Sequence, residues 1–435
     1  MLKTNYTGPF LEGFEQVRNT LPGPWLSETR LCAIRSFEMQ GFPTPRTEEW
    51  KYTNLNPLKR SDFDVVADFN NLDISRWESL FVEGADRIVI VNGSYDADAS
   101  EINELPNGAN IKSLSEAFED FDPELEGEIG KIAPTKGAPL VALNTAFMQD
   151  GVVVNLADGV QLERPVQILH LIDVGDQALV VHPRNLVIAG DKSSATVVET
   201  FAGVSEQVYW TNAVTEIRVG SDASIRHVKR QEESLRSYHT ALTQVRLGSG
   251  SRYSSVSLVT GARLSRNETR VSFEGERAEA SLAGGALLRG RQHADTTTQA
   301  NHMVPHTISE QVFRNVLDES SHSVFQGGVT VGQDAQKTDS LQSNRNLLLS
   351  AGAHSDSKPE LKIFADDVKC AHGATVGELE KDALFYLQSR GIPENQAKIL
   401  LIEAFIAEIS DGLAGGPVGD HISNAVSGWM SEAAL

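Results

Sequence analysis

The sequence predicts a mainly β protein, an elongated body of stacked strand-and-turn units with a small helical region before it and a helical tail after it. Three observations predict this. Glycines recur at a drifting period through the middle of the chain, a short run of alternating apolar and polar residues leads into each of them, and helical periodicity returns only near residue 376.

The first stretch carries apolar residues at helical spacing, Phe10, Phe14 and Val17, then Leu31, Ile34 and Phe37, interrupted by Pro22-Gly23-Pro24 and by prolines 43 and 45. A helical N-terminal region over 1–84 is expected. Strand structure begins at Asp86-Arg-Ile-Val-Ile-Val, whose β-branched run ends in the turn pair Asn92-Gly93. Residues 105–137 are acidic and turn-rich with one helical patch, Ile111–Phe121, and read as a linker or helical insertion within a β core spanning 85–375. From Val141 to about residue 376 the pattern is strand and turn, with hardly any helical signal.

Four units show the repeat: Leu186-Val-Ile-Ala-Gly190, Ile217-Arg-Val-Gly220, Val245-Arg-Leu-Gly248 and Val271-Ser-Phe-Glu-Gly275, with glycines 30, 28 and 27 residues apart. Less regular units follow at Gly332 and Gly352. A propeller blade needs roughly 40–50 residues and an aromatic signature. These units are shorter and rich in Gly, Ser and Ala, so a β-solenoid fits better, each coil burying its apolar face on the next. The tail, 376–435, opens with Leu379, Ala383, Leu384 and Leu387 on one helical face, a stop at Gly391, and a restart at Ile392-Pro393-Glu394 that carries Ile399, Ile402, Phe405, Ile406 and Ile409. This αα-hairpin has more apolar surface than it needs, so it either caps the solenoid or docks a partner.

Composition narrows the function classes. The chain of 435 residues has a formal charge of −21, and residues 61–130 hold eighteen acidic against three basic side chains, a local balance of −15. That field repels nucleic acid and acidic membranes, and no basic stripe with interleaved aromatics offsets it. The most apolar run, Ile399–Ile409, is broken by Glu403 and Glu408, so no membrane span is expected. The N-terminus has no apolar leader core and carries Glu12 and Glu15 early, which points to the cytoplasm. Cys32 and Cys370 are too few for a disulfide framework and are expected to be reduced thiols.

Nothing matches GxxxxGK[ST], GxSxG or HExxH, so neither ATP hydrolysis nor those hydrolytic chemistries are expected. For a β-helix acting on polysaccharide the sequence offers the carboxylate pairs Asp318-Glu319 and Asp366-Asp367, but adjacent residues on a strand face opposite ways and make poor acid/base partners. The most specific local feature is Cys370-Ala-His372. On a strand its thiol and imidazole share a face and form two ligands of a transition-metal or cluster-iron site, to be completed from elsewhere, including another chain. Spacing alone favours a buried thiol beside a turn histidine over a ligand pair. His354 and Asp356 lie one unit earlier, and His293, His302, His306 and His322 crowd one region at irregular spacing.

The segment Lys358-Pro-Glu-Leu-Lys-Ile-Phe-Ala-Asp-Asp-Val-Lys-Cys370-Ala-His372-Gly-Ala-Thr-Val-Gly377, running on through Leu384-Phe-Tyr-Leu-Gln-Ser-Arg-Gly-Ile392, closely resembles the C-terminal signature of the SufD branch of the SufB/SufD family. Thr44-Pro-Arg-Thr-Glu-Glu-Trp-Lys-Tyr-Thr-Asn-Leu55 resembles its N-terminal motif. The resemblance implies a right-handed parallel β-helix core between helical regions, and a non-enzymatic scaffold subunit of the SufBCD iron–sulfur cluster assembly complex. It implies pairing with SufB through the core, docking of the ATPase SufC on the C-terminal helices, and self-pairing as a homodimer when isolated. Within the family the histidine of the Cys-x-His segment works with a SufB cysteine on the nascent cluster, which carries over to His372, with Cys370 as a secondary ligand. Some complexes of the family are associated with reduced flavin, and no residue here identifies a flavin site.

Overall fold

In the computed structural model, which describes residues 6–65, 72–119, 123–204, 206–410, 413 and 415–432, the repeat glycines stack at one corner of the solenoid. A Cβ on Gly220 would lie 2.8 Å from the carbonyl carbon of Gly190, and one on Gly275 would lie 2.4 Å from that of Gly248. No side chain fits there. Two residues past each glycine the backbone turns left-handed, at Lys192, Asp222, Gly250 and Arg277, with φ between 55 and 65°. Successive corners also bond to one another, Lys192 N–H to Ser221 O, Asp222 N–H to Ser249 O and Gly250 N–H to Glu276 O. The drifting period is therefore the length of one coil.

Each coil contributes one strand to each of two facing sheets, ten strands in one and nine on the main path of the other, about eight turns in all. Along the first sheet the parallel strands run Asp86–Val91, Val166–Ile172, Ser194–Gly203, Ser224–Glu232, Arg252–Val259, Glu279–Leu288, Ile308–Leu317, Asp339–Leu348 and Lys369–Gly377. The second runs from Val152–Leu156 through Arg184–Ala189, Tyr209–Val219, Tyr238–Leu247, Leu264–Phe273, His293–His302 and His322–Val331 to His354–Ile363. At the N-terminal end both sheets are closed by antiparallel strands, Ser94–Glu101 through the turn at Asn92-Gly93 and Ala109–Ser113. The expected β-helix core is present.

Alternation along the strands sends one set of side chains inward and the other outward. Ile225, Tyr253, Leu282 and Phe313 from one sheet meet Val245, Val271, Phe273 and Val329 from the other between the sheets. Both outer faces are covered by helices. Trp210, Tyr238 and Leu264 lie under an N-terminal layer that includes Pro9–Val17, Ser27–Gln40 and Pro139–Phe147. On the opposite flank Val228, Leu258, Leu287 and Val316 are covered by Glu394–Ser410 and Pro417–Glu432, through Ile402, Ile406, Ile409, Ile422 and Trp429. These tail helices lie along the side of the solenoid rather than over its end.

The structure differs from the sequence reading in three elements. Pro139–Phe147 is a helix where strand-and-turn pattern was expected; residues 140–147 are all buried, between the sheet and Ser27–Gln40, so no polar face marks its period. The helical patch at Ile111–Phe121 starts as the strand Ala109–Ser113, paired to Val152–Leu156, and is helical over Leu114–Glu119; its residues 120–121 fall outside the described residues. The tail carries a third helix, Pro417–Glu432, beyond the hairpin.

Candidate functional site

Cys370 and His372 sit on Lys369–Gly377, the last strand of the first sheet. Among the described residues that strand pairs on one side only, in parallel register with Asp339–Leu348, so Cys370 stands above Ser340 and His372 above Gln342. Ser340 and Gln342 are buried inside the solenoid. The Cys-x-His pair therefore continues an inward-facing column at the final coil, on which, among the described residues, no further strand stacks. His372 is exposed, Cys370 is half-buried against the end of the apolar interior, and a Cβ on Gly373 or Gly377 would meet nothing within 4 Å.

The interior becomes polar toward this mouth. Ser309 Oγ bonds to Ser340 Oγ at 2.8 Å and to His302 Nε2 at 2.9 Å, and Thr298 Oγ1 donates to Gln311 Oε1 at 2.6 Å. Beneath His372 the Gln342 amide has neither its oxygen nor its nitrogen hydrogen-bonded. Burial, reinforced by Asp339, pushes the Cys370 thiol above its ordinary value. Cys370 alone therefore stays a thiol near neutral pH and needs a cation or a basic partner to become a ligand. The donor set fits half of a soft-metal or cluster-iron site.

Both sheets end in open edges here. Among the described residues, no strand pairs with the outer edge of Lys369–Gly377 or of His354–Ile363. Ile363, Phe364 and Val376 are exposed apolar side chains at this end. An edge nine or ten residues long with free backbone donors and acceptors is a template for another strand. The first tail helix, Lys381–Ser389, buries no residue and exposes Phe385 and Tyr386.

The two resembling motifs meet in space. Lys358 Nζ contacts Glu48 Oε1 at 2.5 Å, Gln326 Nε2 donates to the Glu49 carbonyl at 3.1 Å, and the Arg266 guanidinium lies 4.1 Å over the Trp50 ring. Thr53 donates to Asp295 Oδ2 at 2.5 Å and lies 2.9 Å from His293 Nε2. The segment Thr44–Leu55 thus straps the N-terminal helical layer to the last coils, a contact that no periodicity in the sequence signals.

The remaining sequence candidates separate. His302 is buried, stacked on Phe273 and bonded to Thr307 and Ser309, while His306 is a turn residue with φ 59°. His293 and His322 instead line up with His354 and Asp356 on the second sheet, apart from Cys370 and His372. The signal was present: 293, 322 and 354 are 29 and 32 residues apart, one coil each. Asp318 receives the Ser350 hydroxyl, Glu319 the Gly290 amide, and Asp367 the Lys337 ammonium, so these carboxylates fasten turns.

Comparison with known proteins agrees with both motifs. Residues 171–405 match the profile described as the SUF system FeS cluster assembly, SufBD core domain, and residues 3–168 match the SufBD protein N-terminal region. The chain is 35% identical over 398 residues to an iron–sulfur cluster assembly SufBD family protein of Synechocystis, covering 88% of this chain and 87% of the relative. It is 29% identical over 376 residues to the iron–sulfur cluster assembly protein SufD of Escherichia coli, 86% of each chain. It is also 28% identical over 402 residues to SufD of Bacillus subtilis, 89% of this chain and 90% of that one.

Proposed function

This chain belongs to the SufBD family of the SUF iron–sulfur cluster assembly system, and from that premise we propose that it is a SufD-type, non-catalytic scaffold subunit that builds one side of a nascent-cluster site with SufB. The observation that carries the reading is the open, two-edged end of the solenoid with Cys370 and His372 at its mouth. A second β-helix can continue both sheets from those edges. It would bring its own cysteine against His372, with Cys370 as a secondary ligand, and the cluster is cargo assembled between the chains. When isolated, the chain uses the same edges to pair with itself.

The working units proposed are 1–84, 85–375 with the insertion about 105–137, and 376–435. The tail is the docking element for the ATPase SufC, and the support is Lys381–Ser389, which exposes Phe385 and Tyr386 beside helices anchored on the solenoid flank. Displacing that tail would pull on the last coils, because Lys381–Ser389 follows the Cys370–His372 strand directly. His372 acts as a ligand, and its neutral imidazole and a Cys370 thiolate are the forms that bind metal.

The test is cluster formation on the purified three-subunit complex. His372→Ala is expected to leave assembly of the subunits intact and to lower cluster yield by about tenfold or more, on the scale of a lost ligand or its support. Wild-type yield from an intact His372→Ala complex would remove His372 from the site. Phe385→Ser with Tyr386→Ser is expected to abolish retention of the ATPase subunit while leaving the melting temperature unchanged, since both side chains are exposed.

A further inference from the structure

We propose that His322, His354 and Asp356, on the outer face of the second sheet, bind a divalent transition-metal ion through two imidazole nitrogens and one carboxylate oxygen. The ligand atoms of these three residues all lie within 4.8 Å of one another. Parallel register puts His293, His322 and His354 opposite one another on three successive coils, and the His322 and His354 rings stack at 3.9 Å. This site is separate from the proposed cluster site, which lies on the other sheet.

A count of hydrogens asks for a cation. Four contacts link Asp295 to Asp356: Thr53 Oγ1 to Asp295 Oδ2 at 2.5 Å, Thr53 Oγ1 to His293 Nε2 at 2.9 Å, His293 Nδ1 to His322 Nδ1 at 3.0 Å, and His322 Nε2 to Asp356 Oδ2 at 2.9 Å. Each needs one hydrogen. One hydroxyl and two neutral imidazoles supply three, and ionised carboxylates supply none. If Thr53 donates to Asp295, His293 donates to Thr53 and His322 to His293, then His322 Nε2 presents a lone pair to the Asp356 carboxylate. Two lone pairs facing at 2.9 Å repel unless a positive charge joins them. A fourth proton would join them, and so would a metal cation, which the open His354 and Asp356 end of this row of contacts admits from solvent.

A metal ion at the His322–Asp356 end supplies the missing charge. His354 is exposed and Asp356 half-exposed, so an ion reaches them from solvent, and its remaining positions stay open to water. Two nitrogens and one oxygen suit zinc or ferrous iron. Behind the ligands, His293, Thr53 and Asp295 hold the His322 ring, as outer-shell partners do in metal sites. The Thr44–Leu55 strap contributes Thr53, so metal binding would also brace the N-terminal layer against the last coils.

The experiment titrates Co²⁺ into full-length protein carrying Cys370→Ser and His372→Ala, so that the proposed cluster ligands contribute nothing, and follows the visible d–d bands. One equivalent per chain, displaced by Zn²⁺, is the expected result. Adding Asp356→Asn or His354→Ala should weaken Co²⁺ binding about tenfold or more, whereas His306→Asn should leave it unchanged. Asp356→Asn preserves size at a half-exposed position, and its melting temperature is read alongside. Absence of a Co²⁺ spectrum in the doubly substituted chain, or affinity unmoved by both Asp356→Asn and His354→Ala, overturns the proposal.

Discussion

Lys229 lies wholly inside the solenoid, where its ammonium reaches His239 Nε2 at 2.9 Å and Asn267 Oδ1 at 2.6 Å. Around it Glu233 meets His239 Nδ1 at 2.8 Å and accepts from Thr211 at 2.6 Å, and Glu199 meets His227 at 3.3 Å and accepts from Thr215 at 2.6 Å. Burial is the largest influence on Lys229 and pulls it down to about 8; the two carboxylates oppose the shift. Burial alone would raise Glu199 and Glu233, yet both are held below the ordinary carboxylate range, by His227 foremost for Glu199 and by His239 foremost for Glu233, with Lys229 adding to each. Removing the cation leaves two buried carboxylates with only their histidine and threonine partners. Lys229→Met is expected to cost about 3–5 kcal/mol in urea unfolding, the usual range for breaking a buried pair; a loss below about 1 kcal/mol would mean the carboxylates are satisfied without it.

At the scale of elements, the corner glycines and the tail helices do different work. A Cβ on Gly275 would sit 2.0 Å from the Ser249 nitrogen, and backbone cannot move aside as a side chain can. Gly275→Ala should therefore destabilise by about 1–3 kcal/mol or more, read from a chemical denaturation midpoint. At Gly373, where the neighbourhood is open, the same substitution should leave the midpoint unmoved. In the tail, Trp429 is buried against the solenoid flank and its ring lies 4.6 Å from the Arg289 guanidinium, whose Nη2 bonds the Trp429 carbonyl. Trp429→Ala should loosen the tail at a cost of about 3–5 kcal/mol. Hydrogen exchange should then rise across Glu394–Ser410 and Pro417–Glu432 before it rises in the strands.

For the whole molecule, the distribution of buried histidines sets the response to acid. Burial pushes His170 and His302 down to about 4, and His182 and His421 down to about 3. In the unfolded chain these rings take up protons near pH 6.5, so between about 6.5 and 4 unfolding binds protons and stability falls as pH falls. The depressed Glu199 and Glu233 act in the same direction, their contribution being present above about 4.5 and lost on further acidification. A shift of two units corresponds to about 3 kcal/mol per group. Melting temperature is expected to drop steeply from pH 6.5 to 4, and a flat profile there would contradict the burial of these rings. The open end makes a second demand on the whole: an isolated chain should show concentration-dependent self-association by sedimentation, which Ala374→Pro should suppress, because ladder alternation from the Lys369 N–H to Thr338 O bond turns the Ala374 N–H to the outer edge.

The sequence by itself determined the β-solenoid, because a coil's length is written in the spacing of Gly190, Gly220, Gly248 and Gly275, and close stacking tolerates no side chain at those corners. It also marked the Asn92-Gly93 turn, the tail hairpin and, through its two motifs, the family. Local periodicity carries such features because each depends on neighbours along the chain. Only the tertiary structure decided that Pro139–Phe147 is a helix, since a segment buried on all sides loses its period. Only it brought Thr53 to His293 across 240 residues and stacked His293, His322 and His354 into one column, while sending His302 inside and His306 to a turn. For Cys370 and His372 the division is sharpest. Their shared face followed from strand alternation, but that the face opens at an unstacked final coil depends on where the sheets stop, and contacts distant in sequence set that point.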